Sequence, residues 1–203
     1  MATTRSVSRT LWVSVRSMLI LTLVLGVLFP AAILGIGQLA FPAQANGSML
    51  QSPGHTGPVG SALLGQTFTR PDGTPDPAYF QPRPSAAGTG YDGTASSGSN
   101  LGPENPVLLK EIAARKAAYL AQNPGTIVVP PDALTASASG LDPDISVANA
   151  LDQAPRVAKA RSLDLAKVLA LVHQQTTGRD LGFLGEERIN VLELNIALSR
   201  LEN

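Results

Sequence analysis

From Met18 to Phe41 the chain reads MLILTLVLGVLFPAAILGIGQLAF, 24 positions without a charge, in which Thr22 and Gln38 are the polar side chains. As a helix this stretch spans roughly 36 Å, enough to cross a hydrocarbon core of about 30 Å with some tilt. Pro30 lies inside it and predicts a kink near its outer half. No Asp, Glu, Lys, Arg or His interrupts the run, so no ion path or proton relay is built into it. It reads as an anchor or a packing helix. Leu23 and Val27 occupy its centre, Pro30 shapes it, and Gly26, Gly35 and Gly37 either admit a neighbouring helix or are ordinary membrane glycines.

Charge at the flanks orients the segment. Arg5, Arg9 and Arg16 precede it, and the next basic residue is Arg70. The positive-inside rule predicts a cytoplasmic arm over 1–16, a transmembrane helix over 17–41 and an extracytoplasmic domain over 42–203, in a single pass through the cell inner membrane. The alternative is a cleaved signal peptide ending at Ala45, since Ala43-Gln44-Ala45 has the form of a cleavage site, and a secreted periplasmic binding domain beyond it. The apolar run is about twice the usual signal-peptide core.

Beyond the span the pattern changes. Residues 46–103 hold 11 of the 19 glycines and 8 of the 16 prolines, yet Val59, Leu63, Leu64, Phe68, Tyr79, Phe80 and Tyr91 are spaced among them. That alternation predicts short strands and ordered loops. Residues 104–203 read as mainly helical. Asn105 caps a helix with Pro106 in its first turn, with Leu109, Ile112, Ala113, Tyr119 and Leu120 on one face, and Asn123-Pro124-Gly125 stops it. Thr126-Ile127-Val128-Val129 predicts a short buried strand. Ser146 caps a helix that Pro155 breaks or restarts, Ser162 caps the next, carrying Leu165, Val168, Leu169 and Val172, and a last helix starts near Glu186 with Val191, Leu194, Leu198 and Leu201 as its stripe. The fold class is α+β: one N-terminal transmembrane helix followed by a mixed, helix-rich domain with a few short strands.

Composition removes most chemistries. Fifteen basic and 15 acidic residues balance, so no field for nucleic acid exists. Cysteine is absent and only His55 and His173 are present, which excludes thiol nucleophiles, disulfides, lipid attachment and cysteine- or histidine-rich metal sites. No phosphate-binding P-loop, no G-x-S-x-G elbow and no H-E-x-x-H occurs. Two features remain as candidates for anion contact. Ser96-Ser97-Gly98-Ser99-Asn100 forms either an anion-cradling nest or a plain tight loop. Gln153 with Arg156, Lys159 and Arg161 forms either a carboxylate or phosphate site or a solvated basic face. Thr135–Ser146 is turn-forming, with Gly140 predicted at positive φ.

Seven blocks in order resemble the KdpC family of potassium-transporting ATPases, whose members are the accessory component of the bacterial Kdp potassium pump. They are Phe41-Pro42 with Gln44–Ser48, Gly60-Ser61 with Leu64–Gln66 and Phe68, Tyr79-Phe80 with Arg83–Ser85, Gly98–Leu101, Thr135–Ser146, Gln153 with Arg156–Arg161, and Asn190–Asn195 with Ala197-Leu198. Ser97 stands where the family usually has glycine, and residues 70–78 look like an insertion. The resemblance implies a non-catalytic subunit that stabilises the complex and acts as a catalytic chaperone, raising the ATP affinity of the hydrolytic subunit. It implies as partners a potassium-channel-like subunit, an ATP-hydrolysing P-type subunit and a small membrane subunit, besides the bilayer. No cofactor is assigned to this chain itself. ATP enters through the partner ATPase subunit, with Ser97, Gly98, Ser99, Gln153 and Arg156 the residues nearest in character to a nucleotide contact. The charge bias places them away from cellular ATP, so the resemblance and the topology together imply an effect transmitted through packing between subunits.

Overall fold

The computed structural model describes the backbone of residues 2–201 and the side chains of residues 7–201; the Arg5 side chain of the basic head lies outside the described residues. The chain divides between Ser48 and Met49 into two compact units.

The first unit is one helical rod. Helix α1 (Ala2–Leu23) passes through a π-turn (Val24–Leu28) into α2 (Phe29–Ala40), and a four-residue turn, α3 (Pro42–Ala45), follows. The apolar stretch Val7–Ala40 is long enough to cross a membrane, and none of its large apolar side chains is buried against protein. A helix apolar on every side has no aqueous solution to its packing and anchors the chain in a bilayer. Pro30 is accommodated by a widened turn rather than a break. The Phe29 N–H donates five residues back to the Val24 carbonyl, and the helix continues. At the far end the polar Gln38 is paired, since Asn46 Nδ2 donates to its Oε1 at 3.0 Å and also to the Pro42 carbonyl at 2.7 Å.

The second unit begins with β1 (Met49–Gln51) and β2 (Pro58–Ser61), antiparallel with Leu50 opposite Gly60. The segment 70–78 closes on itself: Arg70 N–H donates to the Thr74 carbonyl, and Asp72 accepts from the N–H and hydroxyl of Thr74. Helix α4 (Pro106–Gln122) starts as the sequence predicts, the Asn105 side chain accepting from Val107 N–H at 2.9 Å. Its inward stripe is Leu108, Glu111, Ile112, Arg115 and Tyr119, so Leu109, Ala113 and Leu120 face outward instead. Thr126–Val129 is not a strand. Ile127 is 96% exposed and Val128 78%, and among the described residues no strand pairs with this segment, which is confined between the Pro124-Gly125 turn and Pro130-Pro131.

Two strands that the apolar pattern does not mark form the second sheet. β3 (Asp144–Ser146) and β4 (Arg188–Asn190) pair antiparallel with Ile145 opposite Ile189, both fully inside. Each runs straight into a helix. Ser146 caps α5 (Val147–Arg161) by accepting from Asn149 N–H, and Asn190 caps α7 (Val191–Arg200) by accepting from Glu193 N–H. The last helix thus starts five residues later than Glu186, since β4 occupies the intervening register. Pro155 neither breaks nor restarts α5. It sits on the exposed face of the helix. Ser162 closes α5 in the left-handed region at φ 55°, and Asp164, not Ser162, caps α6 (Leu165–Gln174). The core gathers Phe80, Ile145, Ala154, Val157, Val168, Val172, Ile189, Leu194 and Leu198, each large member contributing about 2 kcal/mol by burial.

Candidate functional site

The most connected polar region lies where α5 and α7 grip the proline-rich segment 76–85. Phe80 is fully buried, so its own peptide groups and those of its neighbours need partners. Two carboxamides supply them. Asn195 on α7 accepts from Phe80 N–H at 2.9 Å and donates to the Phe80 carbonyl at 3.0 Å. Gln153 on α5 accepts from Gln81 N–H at 2.7 Å and donates to the Gln81 carbonyl at 3.1 Å. Each amide acts as a short piece of β-ladder, which lets an irregular segment enter the core.

Arg156 extends the grip one turn further. Its Nη2 donates to Gln153 Oε1, Nη1 to the carbonyls of Pro77 and Tyr79, and Nε to Asn123 Oδ1, at 2.7–3.0 Å. All four acceptors are neutral, and burial pulls the guanidinium down to about 10, the nearby Tyr119 and Asp76 opposing. It remains a cation at neutral pH. Arg161 donates to the Ala78 carbonyl at 2.6 Å and lies 4.6 Å over the Tyr79 ring.

A second bracket holds the start of α5. The Asp132 carboxylate accepts from Ser146 N–H, the Ser146 hydroxyl and Asn149 Nδ2 at 2.8–2.9 Å. Tyr119 and Gln153 both donate to Asn149 Oδ1 at 2.9 Å. Burial, with the Asp152 charge behind it, holds the Tyr119 hydroxyl well above the ordinary phenol range, so it stays a neutral donor.

Between α4 and the segment 67–91 an open cleft of about 320 Å³ is lined by Gln81, Pro82, Arg83, Tyr91, Arg115 and Tyr119 among others. Arg83 pairs through Nη1 with Asp142 at 2.8 Å while its buried Nε has no hydrogen-bond partner, and Arg115 pairs with Glu111 at 2.8 Å and donates to the Leu134 carbonyl at 3.0 Å. Tyr91 donates to the Arg83 carbonyl, its pKa raised by burial and then by the Asp142 charge. No nucleophile–base pair lines this cleft, and among the described residues no group of three or more His, Asp or Glu is placed to hold a metal ion.

The Gly-Ser loop is elsewhere. Ser97 N–H donates to the Ser139 carbonyl at 2.9 Å, and the Ser97 hydroxyl to the Gly98 carbonyl at 3.1 Å. A Cβ on Gly98 would stand 2.9 Å from the Ala138 carbonyl, and one on Gly140 would stand 2.6 Å from the Ser97 carbonyl, at a φ of +68°. The two glycines therefore exist for mutual close approach of two loops, and Ser99 is exposed at the tip. The structure brings Gln153 and Arg156 into contact and gives Ser97–Ser99 a separate set of partners. Leu23, Gly26, Val27, Pro30 and Gly35 all lie in the helical rod. Sequence reasoning missed Asn149 and Asn195. The available signal is position: Asn195 falls on the Val191–Leu194–Leu198 stripe, where a polar residue needs a buried partner.

The sequence profile described as "KdpC: K+-transporting ATPase, c chain" matches residues 11–200. The chain is 50% identical over 186 residues to the "Potassium-transporting ATPase KdpC subunit" of Mycobacterium tuberculosis (strain ATCC 25618 / H37Rv), covering 91% of this chain and 94% of that protein. It is 52% identical over 177 residues to the protein of the same description from Caulobacter sp. (strain K31), covering 87% of this chain and 86% of that one. For the counterpart from Caulobacter vibrioides (strain NA1000 / CB15N) the identity is 51% over 183 residues, covering 90% and 88%.

Proposed function

Because this chain belongs to the KdpC family of K+-transporting ATPases, we propose that it is the non-catalytic, membrane-anchored accessory subunit of a Kdp-type potassium pump. One observation carries the reading: among the described residues one apolar helix of membrane length precedes a body in which Gln153, Asn195 and Arg156 bind the chain's own segment 77–81. Such a body offers a rigid surface and no reaction centre. Its partners are a potassium-channel-like subunit, an ATP-hydrolysing P-type subunit and a small membrane subunit. The basic residues Arg9 and Arg16 keep the N-terminus in the cytoplasm and the body outside.

The chain acts as a chaperone of catalysis by raising the ATP affinity of the hydrolytic subunit. Gln153 and Arg156 have their donors and acceptors committed to residues 77–81 and 123, so nucleotide contact there requires dismantling the clamp. The effect therefore travels through packing, as a coupling free energy between the docked body and the nucleotide site. The helix is retained. Ala43–Ala45 lies in a helical turn tied back through Asn46 to Gln38, a poor shape for a peptidase that needs an extended substrate.

The test uses the assembled complex with and without this chain, following potassium-stimulated ATP hydrolysis against ATP concentration. We expect the coupled activity to fall and the KM for ATP to rise when the chain is absent; an unchanged KM overturns the chaperone reading. A Ser99→Cys chain, the only thiol present, should react with a membrane-impermeant maleimide in intact cells. Labelling confined to permeabilised cells overturns the orientation.

A further inference from the structure

We infer that the face of α1 formed by Arg9, Trp12 and Arg16 is a binding site for the headgroup of an anionic phospholipid, whose acyl chains lie along Leu19, Ile20 and Leu23. The inference rests on the membrane-anchor reading above and adds a ligand to it.

Helix α1 runs without interruption from Ala2 to Leu23, which fixes the register of these side chains. At 3.6 residues per turn, Arg9, Trp12 and Arg16 fall within about 60° of one another around the axis. All three are exposed, Trp12 to 68%. Arg9 and Arg16 stand about 10 Å apart along the axis, with the indole between them. Arg16 lies two positions before the uncharged run that starts at Met18. A guanidinium at that edge extends back toward the headgroups, and the tilt of a helical Cα–Cβ bond toward the N-terminus directs it that way. The interfacial layer on each side of the hydrocarbon core is about 5–8 Å deep, so Arg16 and Trp12 stand within it and Arg9 borders it. Tryptophan favours this level.

The ligand follows from the charge that the face lacks. The helical unit, residues 1–48, contains no Asp or Glu, and the first acidic residue of the chain is Asp72. Neither guanidinium therefore has a carboxylate partner inside its own unit. A lipid phosphodiester sits at their depth and accepts hydrogen bonds from both. A net anionic lipid fits better than a zwitterionic one, whose ammonium would stand beside the arginines. Toward the membrane the same face continues as Leu19, Ile20 and Leu23, exposed to 65%, 51% and 54%. This apolar wall suits an acyl chain and is of no use to free phosphate.

Trp12 is the only tryptophan, so its fluorescence reports on this face alone. The experiment reconstitutes the full chain in vesicles of phosphatidylcholine and phosphatidylglycerol in fixed proportion. The lipids are brominated near the headgroup end of the acyl chains, first in one species and then in the other. Both leaflets have the same composition, so the orientation of the inserted chain does not affect the result. Brominated phosphatidylglycerol should quench Trp12 more, with an apparent preference of about fivefold per arginine. High salt should reduce that preference. Arg9→Gln with Arg16→Gln should bring the two lipids close to equal, and Arg9→Lys with Arg16→Lys should retain the preference. The vesicles hold no other protein, so a preference seen there needs no carboxylate from another subunit. Equal quenching of the wild type by the two lipids, or a full preference in the glutamine pair, overturns the site and leaves the anchor standing. Quenching by neither lipid overturns the anchor reading and the site with it.

Discussion

Gln153 completes both hydrogen bonds of Gln81, a residue 72 positions earlier in the chain, taking its N–H at 2.7 Å and giving a proton to its carbonyl at 3.1 Å. With Asn195 doing the same for Phe80, two side-chain amides perform the work that a neighbouring strand performs in a sheet. This explains how a body rich in proline and glycine, with strands of only three or four residues, keeps a defined core.

Replacing Gln153 with Ala leaves the part-buried N–H and carbonyl of Gln81 without partners, and also strips Arg156 of an acceptor. At about 1–3 kcal/mol per stranded group, the body should lose roughly 3 kcal/mol in urea unfolding of the detergent-solubilised chain. Gln153→Glu keeps the acceptor and loses the donor, so its loss should be smaller. Equal stability of Gln153→Ala and the wild type would remove the clamp from the account.

Gly140→Ala and Gly98→Ala place a methyl against carbonyls 2.6 Å and 2.9 Å away. Gly140 also carries a φ of +68°, so its substitution adds strain of about 1 kcal/mol to the clash. The order of thermal midpoints should be wild type, then Gly98→Ala, then Gly140→Ala; Gly140→Ala matching the wild type would show that the two loops do not meet as described.

Asp144 is held above the ordinary carboxyl value of 3.8, first by burial and then by the Asp142 charge, against the pull of Arg188. The folded state therefore keeps this proton more tightly than the unfolded chain does. Its contribution to stability is full below about 3.8 and is lost as pH rises through the higher folded value. Asp144→Asn, which can still accept from Arg188, should gain on the wild type between pH 3 and pH 7 in urea midpoints. A difference that stays flat or shrinks over that range contradicts the assignment.

In the helical rod, Leu23→Arg or Val27→Arg should raise the cost of insertion by roughly 2.5–3.5 kcal/mol. Alkaline extraction of membranes should then recover a larger soluble fraction. Retention equal to wild type would mean that the centre of the span lies elsewhere.

Ile127 and Val128 stand almost wholly in solvent. Ile127→Ser with Val128→Ser should change the stability of the body by no more than about 0.5 kcal/mol. A larger loss would show that this segment packs inward after all.

The elements that were legible in the sequence are those with a strong local signal. The uncharged run ending at Phe41 and the Asn105-Pro106 helix start both act within a few residues, and the structure carries both. Ile127 and Val128 were misleading because an apolar pair says nothing about whether a partner strand lies beside it. β3 and β4 were invisible because each is three residues long and exists through its partner more than 40 positions away, Ile145 against Ile189. The roles of Gln153, Asn195 and Arg156 were hidden for a related reason. Residue type marks them as able to bind something, and only the fold shows that the something is the chain's own segment 77–81.

The Asn195 carboxamide reaches back across 115 residues to hold Phe80. Gln153, Arg156 and Arg161 on α5 already hold residues 77–81, so a growing chain secures this segment in two stages, and only α7 closes the second at Phe80. A chain that ends before α7 therefore keeps a half-clasped segment and a core without Leu194 and Leu198.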